Sequence, residues 1–406
     1  MAAFIGACSL TRATDFDECQ IDSDCGPSNL CSHHYCIPLP EACQRSDGVY
    51  DDQGRVAIAA ILPLTNASGD VAFSEEIEAR LRSIQLAVRT VNRFKTEKTR
   101  SFALVVCDSQ GSTEKAGEIS GALAANFEIP AFLTHDTDDT LAAASHRDVI
   151  AARTVVVSVK SSSNLLRASS EPRSSIWQVS PNDSSQVRVL AELVSRAVPD
   201  AGSPIAILVD EDAYRLERAH ELAKVLRPHL AQDQVVKEPG GGEVIAANWA
   251  SNKYPQATIV ISSSTFAGKL AAYVASNASA LYNLQPDAGN HWFFASSARG
   301  SDLVGSTLAG LLEGAIGVSP AQAQGISVGA FQSAFRGEFA DADPLATRFT
   351  THAYDAAWLV MFASMWASFH AEEISAKTID EGLRHLSSTG NPTFTSFEGP
   401  QWSSGV

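Results

Sequence analysis

Short apolar runs alternate with amphipathic segments along the chain from Arg55 onward. The apolar runs have the length and composition of buried strands, and they read RVAIAAILPLT, FALVV, PAFL, TVVVSV, PIAILV, ATIVI and HWFFAS. After the first run, apolar residues recur at steps of three or four and therefore share one helical face; they are Ile77, Leu81, Ile84, Val88 and Val91. Strands that alternate with helices predict βαβ units, in which helices cover both faces of a parallel sheet.

The same alternation continues through the second half of the chain. Further helices are predicted over DTLAAASHRDVIAA, SSQVRVLAELVSRAV, YRLERAHELAKVL and FAGKLAAYVASN. The predicted fold class is therefore α/β with doubly wound parallel sheets. At 406 residues the chain is long enough for two such lobes.

Charge and hydropathy limit the classes of partner. The formal net charge is -16, and such an acidic surface repels phosphate backbones, so a nucleic-acid partner is excluded. The longest apolar stretch, AAWLVMFASMWASF, is too short and too interrupted to span a bilayer. It predicts a buried helix instead.

Five cysteines crowd the polar segment that precedes Arg55. They are Cys19, Cys25, Cys31, Cys36 and Cys43. A short polar segment cannot bury a stabilising core, so this density predicts disulfides. Because five is odd, one cysteine either pairs with Cys107 or stays free. Zinc bound by Cys31, His33, His34 and Cys36 is the alternative, but zinc sites usually repeat C-x2-4-C pairs, and we predict no metal.

Cys8 is a candidate for lipidation. Ile5, Gly6 and Ala7 precede it behind an apolar stretch, and the segment resembles the lipobox of bacterial lipoproteins. The apolar stretch is shorter than a secretory h-region and has no basic residue before it. We therefore expect the natural start to lie upstream of Met1; the alternative is a frayed terminus with a chance cysteine.

Cys107 follows an apolar run, as Pro63, Asp210 and Ser262 do. Ligands of open parallel sheets bind beyond the carboxyl ends of the strands, so a thiol at this place can be functional. No histidine lies near Cys107 in the sequence, however, and cysteine is among the residue types most often buried. We expect a structural cysteine.

The sequence GISVG places Ser327 in a G-x-S-x-G pattern, and Asp355 and His370 follow in the order of a hydrolase triad. The nucleophile elbow of such enzymes needs a strand before the serine. SPAQAQ precedes it here, and both triad partners belong to a predicted helix. A serine hydrolase is therefore a remote alternative, and we predict no catalytic residue.

Several stretches together resemble one family, the type I periplasmic solute-binding proteins of the Leu/Ile/Val-binding kind. They are VAIAAILPLT, SIQLAVRTVN, LVVCDSQGSTEKA, IWQVSPNDSSQVRVLAELV, PIAILVDEDAY and TTHAYDAAWLVMFA. The resemblance runs from Arg55 to the C-terminus and depends on the order and spacing of these stretches.

This resemblance implies two Rossmann-like lobes that are joined by crossing hinge segments and close on a ligand, with neither catalysis nor a cofactor. The implied domains are a truncated signal with lipobox at 1–8, a Cys-rich head at 9–50, lobe 1 at 54–181 and 304–388, and lobe 2 at 182–303 and 389–406.

The resemblance also implies ligand contacts, which are carried over only where the stretches match. In lobe 1 they are Asp139 and Thr140 in THDTDDT, and Ser161 and Ser162 in KSSS; in lobe 2 they are Tyr214, and Ser263 in SSST. The alternative for each is a solvated loop or a helix cap, which Ser, Thr and Asp favour.

We therefore expect an exported, lipid-anchored protein of the periplasm or cell envelope that captures a small polar or amino-acid-like ligand for ABC-type uptake or sensing. Its expected partner is an ABC permease or a sensor, and Ser9 after the lipobox cysteine favours the outer membrane. A structural or interaction lipoprotein with a decayed cleft is the alternative.

We further expect that the ligand is not an L-α-amino acid held in the family manner. Asp138 and Asp139 would repel a carboxylate, and Arg299 stands near the place of the family's lobe 2 acid. Asp302 would restore that acid if the loop is displaced.

Overall fold

The computed structural model describes residues 18–52, 54–65, 75–95, 99–166, 172–200, 202–210, 213–226, 230–235, 255–277, 289–298, 308–320, 326–340 and 342–388, and positions 279, 284, 286 and 303. The chain divides into two compact units. The first comprises Met1–Ser161, Ser169–Val179 and Ala323–Val406, and the second comprises Ser162–Ala168 and Ser180–Gln322.

The Cys-rich segment begins with a disulfide-bonded hairpin. Strands β1 (Asn29–Ser32) and β2 (Tyr35–Pro38) pair antiparallel. His33 and His34 connect them with φ of 52° and 69°, and positive φ at both turn positions is the type I′ geometry that tight hairpins prefer. Disulfides join Cys19 to Cys31 and Cys25 to Cys36. Two disulfides within the head are thus confirmed, and the zinc alternative is wrong because both of its cysteines are bonded elsewhere.

The fifth head cysteine is bonded to Cys107. Strand β3 (Cys43–Gly48) pairs antiparallel with β5 (Phe102–Asp108), and Cys43 stands opposite Cys107 in the register. The two Cα atoms lie 4.0 Å apart, and the disulfide joins them. At the other end of β3, Gly48 has φ of +132°, and a Cβ there would lie 2.5 Å from the Phe102 carbonyl oxygen, so only glycine fits. Cys107 is therefore structural, and the Cys-rich segment contributes an edge strand to the first sheet.

The first unit contains a six-stranded sheet in the order β3-β5-β4-β6-β7-β8. Its remaining strands are β4 (Val56–Leu62), β6 (Ala131–Thr134), β7 (Val155–Ser158) and β8 (Ile176–Gln178). All neighbours except β3 and β5 are parallel. Ile58 and Ala60 enter one apolar cluster, while Ala59 and Ile61 enter another, so the sheet is buried on both faces.

Helices cover both faces of this sheet. Those whose apolar residues join the Ile58 cluster are α1 (Glu75–Arg93), α9 (Thr350–His370) and α10 (Ala376–Ser388). The helices on the other face, whose apolar residues join the cluster of Ala59 and Ile61, are α2 (Thr113–Phe127), α3 (Thr137–Ser145) and α4 (Arg147–Ala152). Helix α8 (Ile326–Glu338) packs Phe331 and Phe335 on Leu86 of α1. Among the described helices, none combines the length and apolarity that a bilayer crossing requires.

The single helix predicted over DTLAAASHRDVIAA is wrong, since α3 and α4 are separate helices. His146 between them is extended, with φ of -68° and ψ of 133°, and its Nδ1 accepts a hydrogen bond from the Asp148 amide. The imidazole ring lies against Gly121 of α2, where a Cβ would be 2.1 Å from His146 Cε1. A packing contact with a distant helix thus breaks a segment whose own periodicity is continuous.

The second unit repeats the architecture with a five-stranded parallel sheet in the order β10-β9-β11-β12-β13. Its elements are α5 (Asp183–Ala197), β9 (Pro204–Val209), α6 (Ala213–Val225), β10 (Leu230–Val235), β11 (Ala257–Ile261), α7 (Ser264–Ser276), β12 (His291–Phe294) and β13 (Ile316–Gly317). Ile205 and Ile207 pack with α5 and α6 on one face, and Ala206 and Leu208 pack with α7 on the other. The predicted α/β class with two doubly wound units is confirmed.

Candidate functional site

The carboxyl ends of β6 and β7 bring two predicted ligand-binding loops together in the first unit. The two strands are parallel neighbours, with Thr134 opposite Ser158, so the loops that follow them leave the same edge of the sheet. Thr137 Oγ1 lies 2.5 Å from Ser161 Oγ, and Thr134 Oγ1 lies 2.7 Å from Thr140 Oγ1. Ser161 and Thr140 are therefore near the same strand ends, with their hydroxyls already hydrogen-bonded.

Asp138 and Asp139, which we expected in a turn, lie in the first turn of α3. Asp136 is the N-cap residue: its side chain accepts hydrogen bonds from the Asp138 and Asp139 amides at 3.1 and 3.2 Å. Asp138 is exposed, but Asp139 is only 5% exposed. Burial, with the nearby charges of Asp136 and Asp138, raises the pKa of Asp139 to about 7. Near neutral pH the carboxyl is thus close to half protonated, so it repels an anion less than an ordinary aspartate would.

Three basic side chains also gather at this edge. Arg80 of α1 is 1% exposed; its Nη2 is paired with Glu76 Oε2 at 2.7 Å, and the guanidinium donates to the Arg348 carbonyl oxygen at 3.1 and 3.2 Å. Burial, and then the charge of Arg80, lowers the pKa of Lys160, which follows β7. Burial lowers the pKa of His135 far below its usual value, and the charges of Lys160 and Arg80 act in the same direction. The imidazole is therefore neutral at physiological pH.

In the second unit, Ser162 contacts a buried ion pair. Its carbonyl oxygen accepts from the Asp183 amide at 2.7 Å, and its hydroxyl accepts from Arg218 Nη2 at 3.4 Å. Arg218 Nη2 also donates to Asp183 Oδ1 at 2.5 Å, and both side chains are nearly inaccessible. Among the described residues, Nε and Nη1 of Arg218 have no hydrogen-bond partner. Ser162 thus stands beside a buried guanidinium that has unused donors.

Two more residues predicted to contact the ligand, Ser263 and Tyr214, also lie in the second unit. Ser263 caps a helix, and only the backbone of Tyr214 is described. Ser263 Oγ accepts from the Phe266 amide at 3.3 Å at the start of α7, which is the helix-cap alternative. Its own amide donates to Asp210 Oδ2 at 3.1 Å, while Asp210 Oδ1 accepts from Arg215 Nε at 2.5 Å. Tyr214 lies in the first turn of α6, and its side chain is outside the described residues.

The hydrolase triad does not form. Asp355 and His370 both lie on α9, which separates them by about 22 Å along the helix axis. The His370 ring stacks on Trp366 at 4.4 Å between centroids. Ser327 is the second residue of α8, but its side chain is outside the described part of the chain, as are residues Cys8, Arg299 and Asp302. Asp355 and His370 therefore cannot serve one serine as the acid and base of a triad.

Sequence reasoning missed Lys160, His135, Arg80 and Arg218. Lys160 and His135 each stand directly beyond an apolar run, in VSVKSSS and FLTHDT, and this position relative to the strand end is a signal that could have identified them. Arg80 and Arg218 lie inside amphipathic helices, where arginine normally faces solvent. No local pattern marks these two as buried.

No protein-family model matches the sequence, and no curated protein does. Solved structures match at low identity. A leucine-binding protein from Thermotoga maritima has a TM-score of 0.60 at 15% identity, over 81% of this chain and 87% of that chain. An ABC transporter substrate-binding protein from Desulfitobacterium hafniense, in complex with Leu, has a TM-score of 0.61 at 19% identity, over 82% and 89%.

A third match is a solute-binding protein of an ABC transporter from Rhodopseudomonas palustris, in complex with 3,4-dihydroxybenzoic acid. Its TM-score is 0.59 at 13% identity, over 81% of this chain and 85% of that chain. Each match covers most of both chains, and at these identities the likeness concerns the fold. The chain has the fold of the Leu/Ile/Val-binding proteins and of other substrate-binding proteins of ABC transporters, the type I periplasmic binding fold.

Proposed function

We propose that this chain is an exported solute-binding protein that captures a small molecule at the carboxyl ends of its parallel strands. The observation that carries the proposal is the group of polar side chains at the ends of β6 and β7. Lys160, His135 and Ser161 meet there on a fold whose solved relatives are reported with leucine, isoleucine and 3,4-dihydroxybenzoic acid. The fitting partner is an ABC permease, or a sensor that uses the same domain.

The predicted contacts form a proposed binding set within each unit. In the first unit they are Asp139, Thr140 and Ser161, and in the second they are Ser162, Tyr214 and Ser263. The hydroxyls of Thr140, Ser161, Ser162 and Ser263 already form hydrogen bonds within their own unit. We therefore expect them to shape the site, and we expect the charged and imidazole groups to provide most of the affinity.

A thermal-shift screen tests the proposal. A ligand that binds only the folded state at 100 times its Kd stabilises that state by about 2.7 kcal/mol. We expect at least one class among amino acids, organic acids, amides and polyamines to raise the Tm by several degrees in a saturable manner. An unchanged Tm across all classes would contradict solute binding.

A structural or interaction lipoprotein with a decayed cleft is the second candidate. The observation that favours it is the mutual hydrogen bonding of Thr137 and Ser161, together with the capping role of Ser263. These hydroxyls are engaged without a ligand. A negative thermal-shift screen, combined with capture of a specific protein partner through the Cys-rich segment, would favour this candidate.

We also propose that the protein is lipid-anchored through Cys8, on the strength of the lipobox-like residues before it. When both are expressed from the natural gene, the wild type is expected in the membrane fraction and the Cys8→Ala variant in the soluble fraction. Mass spectrometry of the N-terminal peptide checks the modification. An unmodified cysteine in membrane-bound protein would contradict the proposal.

A further inference from the structure

Lys160 is a half-buried cation for which the described residues provide no close counter-ion. Its side chain lies beyond the end of β7, and burial is the main cause of its lowered pKa. Within the part of the chain that the structure describes, its ammonium has no hydrogen bond and no carboxylate within 4.0 Å. A lysine ammonium that is removed from water normally forms an ion pair or a hydrogen bond, which offsets the free-energy cost of its lost hydration. The ammonium group is therefore available to an anion from solution.

Three acids interact electrostatically with Lys160: Asp136, Glu76 and Asp139. Asp139 is close to half protonated near neutral pH, because its pKa is raised to about 7, and the other two have partners of their own. Asp136 Oδ1 accepts the two amides at the start of α3. Glu76 Oε2 is paired with Arg80 at 2.7 Å, and Glu76 Oε1 lies 3.8 Å from Arg348 Nε. These three carboxyl groups reduce the positive potential at Lys160, but none of them lies within 4.0 Å of its ammonium.

His135 adds an unused polar atom to the same edge. The residue is 6% exposed, and its Nδ1 is buried without a hydrogen-bond partner among the described residues. A buried polar atom that lacks a partner destabilises the folded state, and such exceptions are often explained by a missing ligand or water. His135 follows β6 and Lys160 follows β7, so the two neighbouring strands place both groups at one edge.

We propose that this edge of the first unit binds the carboxylate of an organic acid, with the Lys160 ammonium as its counter-charge and the His135 imidazole as a further hydrogen-bonding group. The inference rests on the proposed solute-binding function and names the class of ligand.

The same cation disfavours an α-amino acid. Its ammonium is attached to the carbon next to the carboxylate, so it would lie close to the Lys160 ammonium, and like charges in a partly desolvated site repel. An acid with the same skeleton but without the ammonium avoids that repulsion. The sequence-based expectation also disfavoured an L-α-amino acid, but on the different ground that Asp138 and Asp139 would repel its carboxylate. In the structure Asp138 is exposed and Asp139 has a pKa of about 7, so this repulsion is weaker than expected and a carboxylate can pair with Lys160.

Isothermal titration of the full chain tests the inference with three probes. They are leucine, its oxo acid 4-methyl-2-oxopentanoate, and 3,4-dihydroxybenzoate. We expect at least one of the two acids without an ammonium to bind, and leucine to bind at least about tenfold more weakly than that acid. Lys160→Gln should weaken acid binding by about tenfold to a hundredfold, as expected for the loss of a charge-assisted hydrogen bond.

Lys160→Arg should retain most of the affinity because it keeps the charge. The matched control is Lys377→Gln, which removes an exposed lysine from α10, where its side chain is 66% exposed, and it should leave binding unchanged. We expect Lys160→Gln to be at least as stable as the wild type, since it removes a poorly hydrated charge, and circular dichroism checks its fold.

Two results would overturn the inference. One is an unchanged affinity of the Lys160→Gln variant for the acid that the wild type binds. The other is a failure of both acids to bind to the wild type. If a neutral or cationic solute raises the Tm in the screen, solute binding stands while the organic-acid inference fails. If no solute of any class binds, both fail together.

Discussion

Replacing Cys43 and Cys107 together by alanine is expected to lower the free energy of unfolding of the first unit by about 2–4 kcal/mol. The two residues are 64 apart in the sequence, and in the chain-entropy model a loop of that length corresponds to about 4 kcal/mol. The bond joins edge strand β3 to β5, so its loss also weakens the attachment of the Cys-rich segment to the sheet. Urea unfolding followed by circular dichroism measures the change.

The comparison variant is Cys25→Ala with Cys36→Ala, which opens a bridge across a separation of only 11 residues. This variant is expected to lose less free energy of unfolding than the Cys43/Cys107 variant, by about 1–2 kcal/mol, because a disulfide that closes a shorter loop restricts the unfolded chain less. Equal urea midpoints for the wild type and the Cys43/Cys107 variant would show that this bridge does not stabilise the unit. Thiol counting of the denatured wild type would then show whether the bridge forms.

Replacing Asp139 by asparagine is expected to stabilise the protein above neutral pH and to have little effect in acid. The carboxyl pKa rises from 3.8 to about 7 on folding, so the folded state holds the proton more tightly than the unfolded state does. Below pH 3.8 the carboxyl is protonated and uncharged in both the folded and the unfolded state, so it does not destabilise the fold. As the pH rises from there to about 7, the wild type loses stability, and the loss is complete above that value.

Each pKa unit corresponds to about 1.36 kcal/mol, so we expect Asp139→Asn to be more stable than the wild type by about 2–4 kcal/mol at pH 8. Asp138→Asn is the control, because Asp138 occupies the same helical turn but is exposed. That change should reduce stability by only about 0.3–1 kcal/mol, since it removes a favourable charge from a helix N-terminus. If Asp139→Asn showed the same advantage at pH 4 as at pH 8, the carboxyl would not be the group that titrates.

The alternating pattern predicted the β4, β5, β9 and β11 strands because each is a continuous apolar run buried on both faces. It did not predict β3, whose sequence CQRSDG is polar. That strand exists because β5 offers a free edge and Cys43 is bonded to Cys107. Nor did it predict the break at His146, which depends on the space left by Gly121 on another helix. Both features require contacts between residues that are far apart in the sequence.

The candidate site, like the fold, could be predicted only in part from the sequence. The apolar runs predicted where β6 and β7 end, so Ser161 and Thr140 were predicted beyond two strand ends, and the structure places them there. Which side chains are buried there did not follow, because Asp139 turns inward at 5% exposure while its neighbour Asp138 stays in water. The helix phase that decides between them is set by the cap at Asp136. Likewise, the sequence around Lys160 predicts its position at a strand end. It does not predict that, among the residues the structure describes, no carboxylate lies within 4.0 Å of the ammonium.

Native mass spectrometry tests the central claim, that this fold holds a small solute, most directly. The protein is purified without denaturation from its own source, then measured alone and after incubation with a small-molecule extract of the same cells. The account predicts one added mass per chain that disappears under denaturing conditions, and that fragments as an organic acid if the Lys160 inference is also right. The bare protein mass under both native conditions would contradict the account.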